Sequence, residues 1–451
     1  MHRALFIQEL LVHICEFLHI DRDDLWSTIS EKRVAKATLA SLARTSRIFH
    51  DPAIRSLWSV QTDLTPLILC LGDSVVLGDE DTSWFSGEAK LAYRQPPSAA
   101  QLSRFIKYAQ YIESIQLEYP PAIDIKILDE LLSLSWPPSV STHQRLVFFP
   151  NLKAIKWDCY YVPFDYLSLL LGPRMRNLVL VMRVEDVAME CTLDAFKYHA
   201  PSLDKFSRHD TFKQSSLVVV TCLGLNSFQT LTYINLAQTY HSSSVMWIML
   251  SRLPYLEELK CRIPLKDYGG QRPLLPKTQF PSLNSLTLYC DGEQSNSFES
   301  FLTVFMPVER RPYGLRHLKL FNRSTPFAEV DQPPYIQQMV DLCDPTVLTS
   351  FSFQGEQAYH PGLSDITLAR LTPLLTLRSL RIVELLPMGT IDLDNSAVAE
   401  MASSGQCMAQ SRETDFAVGK SFLGGYTEDN AGRTHSPCSA LPSSLVDVHC
   451  R

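Results

Sequence analysis

The first sixty residues place apolar side chains at the spacing of amphipathic helices. In the first stretch the apolar positions repeat every three to four residues, at Leu10, Leu11, Ile14, Phe17 and Leu18. After a polar stretch, 21–36, the same spacing resumes at Leu39 and Leu42, and Asp51-Pro52 is typical of a helix start. The pattern predicts three short helices whose apolar stripe needs a partner or a neighbouring domain to cover it.

The middle of the chain repeats the template apolar-x-x-apolar-x-apolar. The copies are Ile112/Ile115/Leu117, Leu152/Ile155/Trp157, Met175/Leu178/Leu180, Leu231/Ile234/Leu236, Leu256/Leu259/Cys261, Leu283/Leu286/Leu288, Leu315/Leu318/Leu320, Leu348/Phe351/Phe353 and Leu377/Leu380/Ile382. A degenerate copy at Leu203 and Phe206 has Arg208 at its last apolar position. By subtraction, successive starts from Leu152 onward lie 23 to 33 residues apart, which is near or slightly above the length of leucine-rich repeats.

Each template predicts a short strand with one buried and one exposed face, since its last two apolar residues are two positions apart. Helical patterns lie between the templates, at 165–171, 244–253, 298–305, 335–343 and 366–374. A strand and a helix in every unit favour parallel strands stacked in a curved solenoid. The alternative is a doubly wound α/β domain, which so many evenly spaced, glycine-poor strands disfavour.

Charge and motifs exclude several classes of function. The formal net charge of −7 offers no broad cationic surface, which argues against nucleic acid and lipid headgroups as partners. No stretch has the length of a membrane span, and the 11 cysteines are scattered without a C-x-x-C pair. Phosphate-binding glycine loops and H-E-x-x-H are missing. We therefore expect no catalytic residue, metal or cofactor, and a soluble protein of the cytoplasm or nucleus.

The N-terminal segment resembles an F-box. The resemblance is carried by Leu5-x-Ile7-x-Glu9-Leu10-Leu11-x-x-Ile14-x-x-Phe17-Leu18, by Leu39-Ala40-x-Leu42-Ala43-Arg44-Thr45-x-Arg47-x-Phe49, and by Pro52-Ala53 with Leu57-Trp58. With its start, Met1-His2-Arg3-Ala4-Leu5, the chain also resembles a large group of basidiomycete F-box proteins whose C-terminal domain has irregular leucine-rich-like repeats.

This resemblance implies the receptor subunit of an SCF ubiquitin ligase, which is not itself catalytic. The F-box would bind a Skp-type adaptor, and the adaptor would link the chain to a cullin scaffold. The adaptor-binding residues implied are Leu5, Ile7, Leu10, Leu11, Ile14, Leu18, Leu39, Leu42 and Trp58. The alternative is a repeat scaffold for protein–protein interaction, outside any ligase, whose N-terminal helices only cap the solenoid.

The concave strand face is the expected binding surface for a target protein, which the sequence does not identify. Its candidate residues are Lys156, Tyr233, Lys260, Arg262, Tyr289, Lys319, Phe321 and Arg381. Asp158, Thr287 and Ser352 are also expected to be exposed there. The cations suggest an acidic or phosphorylated target segment, with Tyr289 or Phe321 as an apolar anchor. The alternative is a solvated surface of mixed charge.

The domain organisation follows from these patterns. We expect an F-box at 1–60, a linker and connecting loop at 61–105, and an irregular leucine-rich-repeat-like solenoid of parallel strands and helices at 106–394. From residue 395 the periodicity stops and Ser, Thr and Gly increase. Residues 395–451 are therefore expected to form a disordered tail.

Overall fold

The computed structural model describes residues 7–18, 29–77, 91–117, 123–135, 147–158, 166–182, 199–210, 228–239, 244–263, 280–290, 313–322, 335–355, 366–367, 372–386, 391–392 and 416–417. The chain divides into two units, Met1–Val418 and Gly419–Arg451, and all described residues belong to the first. No described helix combines the length and the apolar character that crossing a bilayer requires.

Three helices open the chain: α1 (Gln8–Leu18), α2 (Ile29–Thr45) and α3 (Arg47–Ser59). They share a small core of Cys15, Leu39, Ala43 and Ala53. The predicted start of the third helix at Asp51-Pro52 is wrong. Ser46 caps α3 by accepting a hydrogen bond from the backbone N–H of Ile48, so that Pro52 lies inside the helix.

The rest of the described chain has an α/β fold built on one long parallel sheet. The strands are β1 (Val60–Gln61), β2 (Val75–Leu77), β3 (Leu91–Tyr93), β4 (Ser114–Gln116), β5 (Ala154–Asp158), β6 (Asn177–Met182), β7 (Lys205–Asp210), β8 (Tyr233–Gln238), β9 (Glu258–Ile263), β10 (Ser285–Cys290), β11 (His317–Asn322), β12 (Ser350–Gly355), β13 (Ile366–Thr367), β14 (Ile382–Leu386), β15 (Ile391–Asp392) and β16 (Phe416–Ala417). Twelve of them pair in the order β1-β4-β5-β6-β7-β8-β9-β10-β11-β12-β14-β16. Because neighbours in this sheet follow one another along the chain, its architecture is solenoid-like.

The strands stack in register, so each template residue lies beside its equivalent in the next unit. Leu286 pairs with Leu259 on one side and with Leu318 on the other. Leu286 and Leu288 are 0% exposed and belong to a single core that runs along the solenoid. The alternation of each template therefore decides which face of its strand is buried.

A repeated hydrogen-bond pattern fixes where each strand starts. The carbonyl oxygen of Glu257 accepts bonds from the backbone N–H groups of Asn284 and Ser285, both at 2.9 Å. We call such a doubly accepting oxygen a carbonyl clamp. The same arrangement occurs at Glu113, Lys153, Arg176, Asp204, Thr232, Asn284, Arg316 and Thr349. The clamps satisfy backbone groups at the strand starts and align successive strands.

Residues 61–105, expected to be a connection, contribute to the solenoid core. They contain α4 (Thr65–Ile68), a 3-10 helix at Leu69–Ser74, β2, β3 and most of α5 (Ala99–Ala109). Ser98 and Gln101 form a capping box at the start of α5, and Gln101 also accepts a 3.0 Å bond from the buried hydroxyl of Ser74. Leu67, Leu91 and other apolar residues of this stretch pack into the core.

The described helices between later strands are α6 (Ile125–Ser135), α7 (Leu167–Leu170), α8 (Ser244–Leu250) and α9 (Tyr335–Leu342). They agree with the predicted helices at 165–171, 244–253 and 335–343, and 298–305 lies outside the described residues. The helix predicted at 366–374 is wrong: β13, which pairs with β15, and a 3-10 helix at Thr372–Thr376 lie there. Of the expected tail, Phe416–Ala417 forms β16 beside β14, and its other residues are not described.

The register expected for the last template is also wrong. The sequence suggested Leu377/Leu380/Ile382, but Phe351 pairs with Val383 and Phe353 with Leu385. The template is therefore Leu380/Val383/Leu385. Val383 is buried, whereas Ile382 lies on the opposite face and is 43% exposed.

Candidate functional site

Helix α1 is apolar on two adjoining sides. One side carries Leu11 and Cys15, each only 1% exposed, and faces inward. The other side is formed by residues spaced three or four positions apart, which share one helix face. We call this exposed row the α1 ridge: Ile7 at 47%, Leu10 at 42%, Ile14 at 41% and Phe17 at 90% exposure. A row of large apolar side chains left in water is a typical feature of a binding surface.

The structure separates the residues implied by the F-box resemblance into three groups. Ile7, Leu10 and Ile14 are exposed on the α1 ridge. Leu11 and Leu39 are buried inside the chain at 1% and 0% exposure, which corrects the expectation that they offer a surface. Leu18, Leu42 and Trp58 are half-buried, the first two against the small helical core. Leu5 lies outside the described residues.

The helical module joins the sheet through α3. The ring of Trp58 stacks on Tyr108 of α5 with a centroid distance of 4.8 Å, so this tryptophan packs against the solenoid core. The N–H of Glu113 donates a 2.7 Å bond to the carbonyl oxygen of Ser59, immediately before β1 pairs with β4. Trp58 therefore serves the junction with the solenoid, and that contact leaves it half-buried.

The second candidate surface is the open face of the sheet, defined as the strand positions that alternate with the core positions. On β8 and β9 it carries Tyr233, Glu258 and Lys260. The Lys260 ammonium lies 3.0 Å from a Glu258 carboxylate oxygen and 5.2 Å from the centroid of the Tyr233 ring. Burial alone would lower the pKa of Lys260, but the hydrogen bond to Glu258 and the interaction with Tyr233 outweigh it and raise that pKa.

Two aromatic rings lie side by side on the next two strands. Tyr289 of β10 and Phe321 of β11 are register partners, and their rings stack with centroids 4.6 Å apart and planes 5° apart. Both rings keep part of their surface exposed. In-register strands bring such a pair together, since equivalent positions on adjacent strands are close enough for rings to touch.

A second ion pair spans a strand. Lys319 of β11 and Glu384 of β14 are each in register with Ser352 of β12, which lies between them. Their charged groups are 3.9 Å apart, and Ser352 is 0% exposed. Two long side chains that meet across a strand cover the short one between them. This explains why Ser352, expected at the surface, is buried.

The candidate target-binding residues are only partly brought together. Tyr233, Lys260, Tyr289, Lys319 and Phe321 lie on neighbouring strands of the open face, with Lys156 further along on β5. Arg262 lies on this face but is 7% exposed, and Asp158 and Thr287 are likewise buried, which corrects their expected exposure. Arg381 precedes β14, and its backbone N–H donates to the Thr349 clamp.

Sequence reasoning placed Phe17 in the apolar stripe but left it out of the adaptor-binding residues, and it did not name two valines of the open face. Phe17 is the most exposed member of the α1 ridge, and its three-residue spacing from Ile14 was the available signal. Val179 and Val181 of β6 alternate with Leu178 and Leu180, so they lie half-exposed on the open face. The alternation that identified the core leucines also identifies these valines.

No metal centre emerges among the described residues, since no three His, Cys, Asp or Glu side chains there form a group that could hold an ion. Comparison with family models gives no match, and comparison with curated proteins gives none either. The candidate sites are thus two surfaces, the α1 ridge and the open face.

Proposed function

We propose that this chain is the substrate-recognition subunit of an SCF-type ubiquitin ligase. In this proposal the α1 ridge binds a Skp-type adaptor, which connects the chain to a cullin scaffold, and the open face binds the target protein. Such a subunit works in the cytoplasm or nucleus and needs no cofactor or catalytic residue of its own.

The observation that carries the proposal is the exposure of the α1 ridge. The helical module already has a core made by other residues of α1, α2 and α3, so the ridge is not needed to hold the three helices together. When a partner removes exposed apolar surface of this kind from water, the free energy falls by about 25 cal/mol per Å² of buried surface. The resemblance of the same helix to an F-box supports an adaptor as that partner.

A retention assay tests the proposal. A purified Skp-type adaptor is immobilised and the full chain is applied, either unchanged or with Leu10→Glu, Ile14→Glu or Phe17→Glu. We expect the unchanged chain to be retained and each variant to be lost, because a carboxylate in an apolar interface is left without a partner. Gln8→Glu on the same helix is the matched control, since it adds the same charge at an exposed polar position.

A repeat scaffold outside any ligase is the second candidate. It is favoured by the junction between α3 and β1, where the stacked Trp58 and the Ser59 carbonyl join the helices to the first strands of the sheet. A scaffold whose helices only cap the solenoid predicts that the unchanged chain is not retained by the adaptor. It also predicts that removing residues 1–58 makes the chain insoluble, because core residues at the first strands become exposed.

A further inference from the structure

The centre of the open face combines two rings with two ion pairs. Resting on the proposed role of this face in target recognition, we propose that it binds an uncharged extended segment of the target through an aromatic side chain that stacks beside Tyr289 and Phe321. This replaces the acidic or phosphorylated segment suggested by the cations in the sequence.

The first support is that each of the two lysines already has a carboxylate beside it. Glu258 lies 3.0 Å from the Lys260 ammonium, and Glu384 lies 3.9 Å from that of Lys319. An incoming phosphate or carboxylate would therefore meet Glu258 and Glu384 next to the lysines. Repulsion by the two carboxylates would offset the attraction of the anion to the lysines, so a negative charge on the ligand adds little to its binding free energy here.

The second support is the geometry of the rings. Tyr289 and Phe321 are parallel to within 5° and belong to adjacent strands, so they form one continuous aromatic surface that is only partly covered. An aromatic partner is preferred because rings attract one another in offset or edge-on arrangements beyond the gain from burial alone. Aromatic residues are also the commonest anchors at protein interfaces.

The third support is the position of the two lysines, which are both in register with Thr287 and so lie in the row next to the rings. Lys260 belongs to β9, next to the Tyr289 strand, and Lys319 lies two residues before Phe321 on β11. Each pair offers both a donor and an acceptor without net charge. A peptide main chain carries the complementary groups in equal number, N–H donors and C=O acceptors. Arg262, the register partner of Tyr289, is only 7% exposed, so the exposed charged groups described beside the rings are the two lysine pairs, and these suit a neutral polypeptide segment.

Peptide selection on the full chain tests this inference. Immobilised chain selects from a displayed library of short random peptides, and the affinity of one enriched synthetic peptide is then measured by fluorescence anisotropy. We expect enrichment of Phe, Tyr and Trp with net charge near zero. Combining Tyr289→Ala with Phe321→Ala should weaken binding about tenfold or more. Tyr255→Ala, which removes a 60% exposed ring from a turn, is the matched control and should leave affinity within about threefold.

Further variants separate charge from aromatic contact and guard against misfolding. Combining Tyr289→Leu with Phe321→Leu keeps apolar volume at both positions, and the thermal unfolding of every variant is compared with that of the unchanged chain. We expect the Leu pair to weaken binding and Lys260→Gln with Lys319→Gln to leave it nearly unchanged. Enrichment of acidic peptides, tighter binding of a phosphoserine version, loss on Lys→Gln substitution, or no enrichment at all would overturn the inference.

The adaptor assay runs beside this selection and distinguishes the two proposals. The immobilised adaptor should retain the ring variants as well as it retains the unchanged chain, since α1 is intact in them. Aromatic enrichment without adaptor retention would reject the ligase role and keep the neutral aromatic site. Retention by the adaptor together with enrichment of acidic peptides would keep the ligase role and reject the neutral aromatic site.

Discussion

Leu10 and Leu11 are adjacent leucines on one helix, and replacing each in turn by Ala tests the orientation of α1. Leu11 is 1% exposed, whereas Leu10 is 42% exposed. Truncating a buried leucine costs about 2–5 kcal/mol, because it loses the transfer free energy and leaves a cavity. Truncating Leu10 should cost about 1 kcal/mol or less, since a fully buried leucine contributes only about 1.5–3 kcal/mol and much of this side chain is in water.

Urea unfolding followed by circular dichroism measures the stability of both variants, and adaptor retention measures their binding. We expect Leu10→Ala to unfold close to the unchanged chain but to bind the adaptor about tenfold more weakly, as for an interface contact. Leu11→Ala should unfold at clearly lower urea. Equal destabilisation by the two substitutions would refute the reasoning, because Leu10 would then be buried within the chain and the α1 ridge would not exist.

Three further predictions concern stability. Burial raises the pKa of the Cys343 thiol from 9.0 to about 12, so as the pH rises the thiol ionises in the unfolded chain before it does in the folded one. The free energy of unfolding should therefore fall between pH 9 and pH 12, and it should fall less steeply in Cys343→Ala; urea midpoints across that range would show the difference. Ser98→Ala should lower the free energy of unfolding by about 0.5–2 kcal/mol, because α5 loses its N-cap. Gln101→Ala should lower it by about 1–3 kcal/mol, because the buried Ser74 hydroxyl also loses its acceptor; calorimetry of both variants checks that Gln101→Ala is the less stable. Gly72 has φ 58° and ψ −128°, so Gly72→Ala should lower the melting temperature through about 1–3 kcal/mol of backbone strain, and an unchanged melting temperature would contradict this.

The strands were predictable because each has one buried face. A two-residue alternation such as Leu286 and Leu288 leaves a single register that buries both side chains. The last template failed because leucines at 377, 380 and 385 all fit the pattern locally. Only pairing with β12 selects Val383 for the core, and that pairing involves residues about thirty positions away in sequence.

Exposure on the open face was harder to predict than burial in the core. Thr287 and Ser352 occupy surface positions by alternation, but they lie between longer side chains on neighbouring strands. The burial of Ser352 depends on Lys319 and Glu384, two strands apart, meeting above it. A template read along one strand contains no such information. The same limit applies to the ion pairs of Lys260 and Lys319, two of the candidate cations.

The turns before the strands carried a signal that the template left out. The N–H of Leu283 donates to the Phe280 carbonyl oxygen across a tight turn, and Pro281 occupies the second position of that turn. Proline favours this position because its fixed φ suits it. Extending the template upstream to include this proline, as at Pro150, Pro173 and Pro201, would have located the strand starts more precisely.

The carbonyl clamps separate the length of a repeat from the alignment of its strand. Since each clamp joins only residues at the starts of two neighbouring strands, segments of very different length can be accommodated between one clamp and the next. Insertions and deletions on the helical side would then leave the spacing of side chains on the opposite surface unchanged. Related chains could therefore diverge in size while keeping an open face of constant geometry, and the side chains on that face could change by point substitution alone.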